Sequence, residues 1–225
     1  MKFTSNFLDI LKHFKNINQN IYFREGNIQT SAIISSRDEL LFFVRANTDV
    51  QIETPFAIGN LGKLITTLEM FNNPDITVEK DTLLIEEEGK TVNYKLSNPD
   101  CINYHKNPDK VQSFTGGIDT SLTKDNINDI LCMSKLFMAK HVTFFGRNGQ
   151  FSVNIWNADN SSSDIGSIII GTTDENFEST ISSDNFKISP ENYKLTIFRK
   201  PLIHLNNATY EYFIPIEANY SKLQG

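Results

Sequence analysis

"FLDILKHFKNI", Phe7–Ile17, and "INDILCMSKLF", Ile127–Phe137, are the two stretches whose comparison decides the fold. Asp-Ile-Leu stands at 9–11 and again at 129–131. A lysine follows at 15 and at 135, so each feature recurs after 120 residues in a chain of 225. At 100° per residue, Phe7, Leu8, Ile10, Leu11, Phe14 and Ile17 share one face of a helix. Asp9, Lys12, His13 and Asn16 lie opposite, and Lys15 sits on the edge of the apolar stripe. In the second stretch Ile127, Ile130, Leu131, Ser134 and Phe137 turn inward. Lys124, Asn128 and Lys135 line one edge, and Thr123 is the expected N-cap.

Working outward, each helix is followed by strands. "NIYFRE" (20–25) and "NIQTSAIISS" (27–36) meet at a Glu25-Gly26 turn, and "LLFFVRA" (40–46) and "DVQIETPFAI" (49–58) come next. "LGKLITTLEMF" (61–71) puts Leu61, Leu64, Ile65 and Leu68 at helical spacing, and Pro74 closes it. Three more strands, "DITVEK", "TLLIEEE" and "TVNYKLS", are separated by turns at Lys80-Asp81 and Glu88-Gly89-Lys90. Residues 98–117, "NPDCINYHKNPDKVQSFTGG", lack periodicity and read as a connector lying on a surface.

The second half repeats the order. A strand at 118–122 leads to a helix at 124–138, then strands at 141–146, 150–157, 164–171 and 176–181. A short helical piece is expected at 182–188 before Pro190. Strands at 192–199, 202–206 and 209–216 finish the chain. Gly26 and Gly149 occupy equivalent turns. The repeat is architectural, with little identity beneath it.

Composition narrows function. Charge is −6 and 39% of residues are hydrophobic, with 17 phenylalanines, enough for one large core or two smaller ones. An acidic chain argues mildly against nucleic acid, but net charge says nothing of distribution. No apolar run reaches the ~20 residues of a membrane span, and the N-terminus does not read as a signal peptide. A soluble cytoplasmic protein is expected, so the Asn-x-Ser/Thr matches at Asn160, Asn207 and Asn219 carry no glycosylation meaning. Cys101 and Cys132 form no paired motif, and Cys132 reads as a half-buried thiol. His13, His105, His141 and His204 are scattered, and no phosphate loop, nucleophile elbow or metal spacing occurs. Glu86-Glu87-Glu88 and "SSSD" (161–164) read as solvated surface. Neither an enzyme nor a cofactor is expected. Two other readings stay open: an assembly protein built from a duplicated β-rich unit, and a hydrolase with a dispersed site.

The expected fold class is α+β, a duplicated unit with antiparallel sheets and two short helices in each half. "GSIIIG" (166–171) is an apolar strand without edge protection, which invites pairing with another chain. Head-to-tail contact between unlike edges can close a ring.

"LKHFKNIN" with "NIYFREGNI", "FKISPENYKLTIF" (186–198) and "YEYFIPIEANY" (210–220) together resemble the sliding clamps of T-even-type bacteriophages, the ring-shaped DNA polymerase processivity factors. The resemblance covers almost the whole chain. It implies the DNA clamp fold with domains at 1–98 and 118–225 joined by a connector at 99–117. It implies a homotrimer around duplex DNA, an ATP-driven clamp loader, a DNA polymerase docked through a short peptide, and no catalytic activity or metal. In an infected host this would act in the cytoplasm. Lysines suit weak, sequence-blind phosphate contacts. Lys12, Lys15, Lys63, Lys124, Lys135 and Lys187, all on the four expected helices, are therefore the candidates for the inner surface. Carried over from the resemblance are a partner-peptide pocket at Val111, Phe114, Phe213 and Pro215, and a subunit contact pairing the 164–170 strand with the 91–97 strand through Val92, Tyr94, Leu96, Ile165, Ile168 and Ile170. The helices also hold Asp9, Glu69, Asp125 and Asp129, so the positive lining is modest.

Overall fold

A computed structural model describes residues 1–111, 115–159, 164–198 and 202–223. The chain divides into two compact units, Met1–Pro108 with Ala208–Tyr210, and Asp109–Asn207 with Glu211–Gly225. The division falls inside the segment read as a connector.

The first unit opens with α1 (Ser5–Ile17). The Phe7 N–H donates to Thr4 Oγ1 at 3.0 Å, satisfying one of the free donors at the helix start. Phe7, Ile10, Leu11, Phe14 and Ile17 are buried, as the apolar stripe requires. Then come β1 (Ile21–Phe23), β2 (Gly26–Ile34), β3 (Leu40–Ile52) and β4 (Phe56–Ile58). β2 and β3 form an antiparallel hairpin, and β1 pairs with β4. Phe7 of α1 lies tilted against Phe23, which stacks on Phe56 with ring centroids 4.5 Å apart. α2 (Leu61–Leu68) buries Leu61, Leu64, Ile65 and Leu68, and Asn60 Oδ1 accepts from the Lys63 N–H at 2.8 Å. β5 (Asp75–Val78), β6 (Thr82–Glu87) and β7 (Lys90–Lys95) make a three-stranded antiparallel sheet with β7 at one edge.

The second unit runs β8 (Gly117–Leu122), α3 (Lys124–Leu136), β9 (His141–Arg147), β10 (Gln150–Trp156), β11 (Gly166–Thr172), β12 (Phe177–Ser182), β13 (Tyr193–Phe198), β14 (Leu202–Asn206), β15 (Tyr210–Pro215) and β16 (Lys222–Leu223). Thr123 caps α3 as expected, and Asn126 reciprocates in a capping box. One sheet has the order β11-β10-β9-β12-β16, which leaves β11 at an edge. β8, β13, β14 and β15 pair antiparallel in sequence of neighbours. Phe144 lies near Phe151 and Phe186, and Phe151 near Phe177, so a second phenylalanine cluster fills this core. Gly26 and Gly149, equivalent in the two halves, both have positive φ, at +101° and +79°. Glycine alone takes this conformation without strain.

The structure departs from the sequence reading in four places. The second helix of the C-terminal half is absent: residues 182–188 hold only a 3-10 turn, Ser183–Asn185. Its apolar anchors, Phe186 and Ile188, are two residues apart, which is strand spacing and gives a helix no stripe. Lys187 therefore lies outside any helix. Residues 40–46 and 49–52 form one continuous strand rather than two. β16 was not expected, because two residues carry no period. Cys132 is exposed, not half-buried. Phe114, residues 161–163 of the polar loop, and the last residue of the expected 192–199 strand lie outside the described residues.

Residues 98–108 are fastened to the first unit. Asn18 Nδ2 donates to the Asn103 carbonyl at 2.9 Å, Arg24 Nη2 to that of His105 at 3.0 Å, and Arg45 Nη2 to that of Pro108 at 2.8 Å. The Tyr22 and Tyr104 rings stack at 5.0 Å. The carboxylate run is also placed. Glu87 accepts from the Asn72 and Asn73 N–H groups at 2.9 and 2.5 Å, and these bonds hold its carboxyl below the usual range.

Candidate nucleic-acid interface and partner surfaces

Lys12, Lys15 and Lys63 are carried on the packed pair α1 and α2, and all three are exposed. Their surroundings differ. Lys12 Nζ is 3.0 Å from Glu69 Oε1, with both side chains about half exposed. Lys63 Nζ lies 5.6 Å over the Tyr94 ring. Lys15 runs past Gly62, where an added Cβ would sit 3.6 Å from Lys15 Cδ and 3.2 Å from Gln19 Oε1. Gln19 joins the two helices, accepting from the Leu61 N–H at its carbonyl (2.8 Å) and from the Gly62 N–H at Oε1 (3.1 Å). His13, on the same helix, is desolvated, and burial pushes its imidazole down to about 4.

In the second unit Lys124 and Lys135 stand exposed at opposite ends of α3, about 16 Å apart by helical rise. Neither makes an ion pair among the described residues. Lys187 is half-buried beside the 3-10 turn. Asp9, Asp125 and Asp129 lie on the same helices, so each lysine group is interleaved with carboxylates.

The six residues expected at a subunit contact fall on two sheet edges, β7 and β11, and on residues beside them. Tyr94 is buried, and its hydroxyl donates to the Asn60 carbonyl at 3.0 Å. Val92, Leu96, Ile168 and Ile170 are half-buried, and Ile165 is exposed. Sequence reasoning missed Ile169, exposed on β11, and the exposed Met70, Leu136 and Met138 at the ends of α2 and α3. Exposed large apolar groups at a helix end break the amphipathic pattern, and that was the available signal.

For the expected peptide pocket, Val111 and Pro215 are half-buried, while Phe213 is 1% exposed. The Phe213 ring is 4.8 Å from His204, and His204 Nε2 is 3.0 Å from Glu211 Oε1. A cavity of about 350 Å³ beside His204 is lined by Gly117, Asp119, Lys194, Thr196 and Phe198 among others. Thr196 Oγ1 donates to Asp119 at 2.6 Å and Lys194 lies 2.9 Å from it, which lowers the Asp119 carboxyl. His204 and Glu211 were not singled out from sequence, since only strand register brings them together. Among the described residues there is no metal-binding cluster and no helix long and apolar enough to cross a membrane.

No family model matches the chain. It is 22% identical to the sliding clamp of Escherichia phage RB69 over 230 residues, covering 97% of this chain and 98% of that one. It is 22% identical to the sliding clamp of Vibrio phage KVP40 over 228 residues, covering 97% and 100%. Among solved structures it superposes on the proliferating cell nuclear antigen (PCNA) of Entamoeba histolytica with a TM-score of 0.70 at 13% identity, over 96% of this chain and 97% of that one. PCNA of A. fulgidus, solved with the C-terminal region of FEN-1, matches with a TM-score of 0.67 at 10% identity, over 96% and 97%. The α+β architecture is the DNA clamp fold.

Proposed function

We infer that this chain is a sliding clamp of the T-even-type phage family, a ring that encircles duplex DNA and tethers a replicative polymerase to its template. The observation that carries this is likeness to phage sliding clamps along nearly the entire chain, joined to the same fold. Clamps act by topological linkage, and no reaction is assigned to this chain.

The charge pattern is consistent with that task. A sliding ring needs weak, mobile phosphate contacts, which hydrated lysines on flexible stems supply. In this reading the α1–α2 pair and α3 face the hole, with Lys12, Lys15, Lys63, Lys124 and Lys135 toward the phosphates and Lys187 beside them. Three copies close head to tail. β7 of one subunit adds to β11 of the next, since both are free edges with apolar centres. β7 carries Lys90 and Lys95 at its ends, and β11 is flanked by Asp164 and by Asp174-Glu175, so the edges are complementary in charge as well. An ATP-driven loader opens the ring in the host cytoplasm. The polymerase docks by the connector, at Val111, Phe114, Phe213 and Pro215, with 1–98 and 118–225 as the two domains.

The test is DNA synthesis on primed circular template with the cognate polymerase and loader. Adding this protein should lengthen the products. Unchanged product length, with polymerase and loader both active, would reject the reading.

A further inference from the structure

The five-stranded sheet of the second unit has a second face. Val142 and Phe144 on β9 are buried in the core, so Thr143, Phe145 and Arg147, alternating with them, point the other way. A cavity of about 520 Å³ lies on that face, with the segment Asn219–Lys222 as one wall. Such a volume takes one large side chain and its neighbours.

The threonine hydroxyls on this floor have no spare hydrogen-bonding proton. Trp156 Nε1 donates to Thr143 Oγ1 at 2.8 Å. Thr143 and Thr180 share a hydrogen bond of 2.9 Å, and Thr180 Oγ1 donates to the Tyr220 carbonyl at 2.8 Å. Because the indole can only donate and the carbonyl can only accept, the protons run one way along the chain, from Trp156 to Thr143 to Thr180 to Tyr220. Each hydroxyl proton is committed. Apart from the Asn154 amide, the floor thus offers ring and methyl surface from Trp156, Phe145 and Tyr220, with Ile165, 67% exposed, at its rim. An acceptor set over the threonine pair and the rings would lose its water without gaining a donor. An apolar group would not.

The mouth has a different chemistry. Arg147 and Lys222, 71% and 84% exposed, both approach Glu178, at 3.5 and 3.9 Å. Two cations share one carboxylate, leaving a positive surplus over an apolar floor in a chain of net charge −6. We propose that this cavity is a docking site for an acidic peptide segment of a partner protein, one that seats a single bulky apolar side chain on the floor and sets carboxylates against Arg147 and Lys222. The site lies within one unit and shares no residue with the pocket expected at Val111, Phe213 and Pro215. It does not depend on ring formation.

Trp156 is the only tryptophan of the chain, so the floor reports its own occupancy. The full chain is titrated with a short capped peptide carrying one phenylalanine among aspartates, and Trp156 emission is followed. A saturable blue shift is expected. Affinity should weaken by about tenfold in an Arg147→Ala, Lys222→Ala double variant, as expected for losing two exposed ion pairs worth a few fold each, and should fade as salt rises. Both residues are well exposed, so the variant should keep the wild-type melting temperature. Replacing the peptide's phenylalanine by alanine should abolish the shift without altering the protein. The proposal is overturned if the acidic peptide leaves Trp156 unchanged, or if a lysine-flanked or alanine-substituted peptide binds equally well.

Discussion

The two halves start from the same plan and build different helical faces. In the first, α2 forms because Asn60 caps it and four apolar residues fall at i, i+3, i+4 and i+7. In the second, the equivalent stretch offers Phe186 and Ile188 alone and yields a 3-10 turn. α1 buries five apolar side chains, whereas α3 fully buries only Ile127 and Ile130. The lysines differ too. Lys12 and Lys63 of the first unit are engaged by a carboxylate and a ring, while Lys124 and Lys135 of the second stand in solvent without an ion pair among the described residues. Duplication fixes the position of a helix. The local sequence then decides how firmly it is held and how available its charge is.

The largest expected effect tests the packing side of this contrast. Phe14→Ala empties a fully buried site under α1 and should cost about 3–5 kcal/mol. Leu131→Ala, at a half-buried position of α3, should cost about 1 kcal/mol. Denaturant unfolding of the two variants measures the gap, and equal losses would break the comparison.

Capping comes next. Thr123→Ala removes the acceptor of a reciprocal box on a weakly anchored helix and should cost about 1 kcal/mol. Thr4→Ala should show less, because α1 is held by its buried face. Hydrogen exchange at the first turn of each helix would reveal the difference.

The electrostatic contrast predicts smaller shifts of definite sign. Lys124→Glu with Lys135→Glu should flatten the salt dependence of duplex binding, by about 0.9 in the log–log slope for each phosphate that is no longer neutralised. Lys12→Glu alone should do less, since Lys12 is already shared with Glu69. Glu69→Gln should act the other way and tighten binding about two- to fivefold, on the scale of an exposed pair of at most about 1 kcal/mol. In a Lys12→Ala background that gain should vanish, and a gain that persisted would show that Glu69 acts elsewhere.

Acidification gives the last test. His13 binds a proton at about 4 folded and 6.5 unfolded, so between these values the unfolded chain holds more protons. Stability from this site is complete above pH 6.5 and lost as pH falls toward 4. His13→Gln should flatten the stability–pH profile in that window.

Much of this was legible because the periods are strong. The strands from β5 to β15 and both turn glycines follow from period-2 alternation and positive-φ positions. The free edge at "GSIIIG" showed in its lack of charge. The pairing of β1 with β4 and the strand β16 were not readable, since segments of two or three residues carry no period. The 182–188 segment mimics a helix in sequence because a proline after a polar run marks an ending without supplying a buried stripe. Five of the six candidate lysines stand on the helices expected of them, and Lys187 does not. Side-chain partners were not readable: Glu69 meets Lys12 across two helices, Tyr94 meets Lys63 from a sheet, and Glu211 meets His204 by register.

The central claim is topological, and retention on DNA tests it most directly. Loaded by its cognate loader onto circular duplex and passed through a gel-filtration column, the protein should stay with the DNA. It should be released once the circle is cut at a single site and ends become available for sliding off. Loss from the intact circle, or equal retention after cutting, would contradict encirclement.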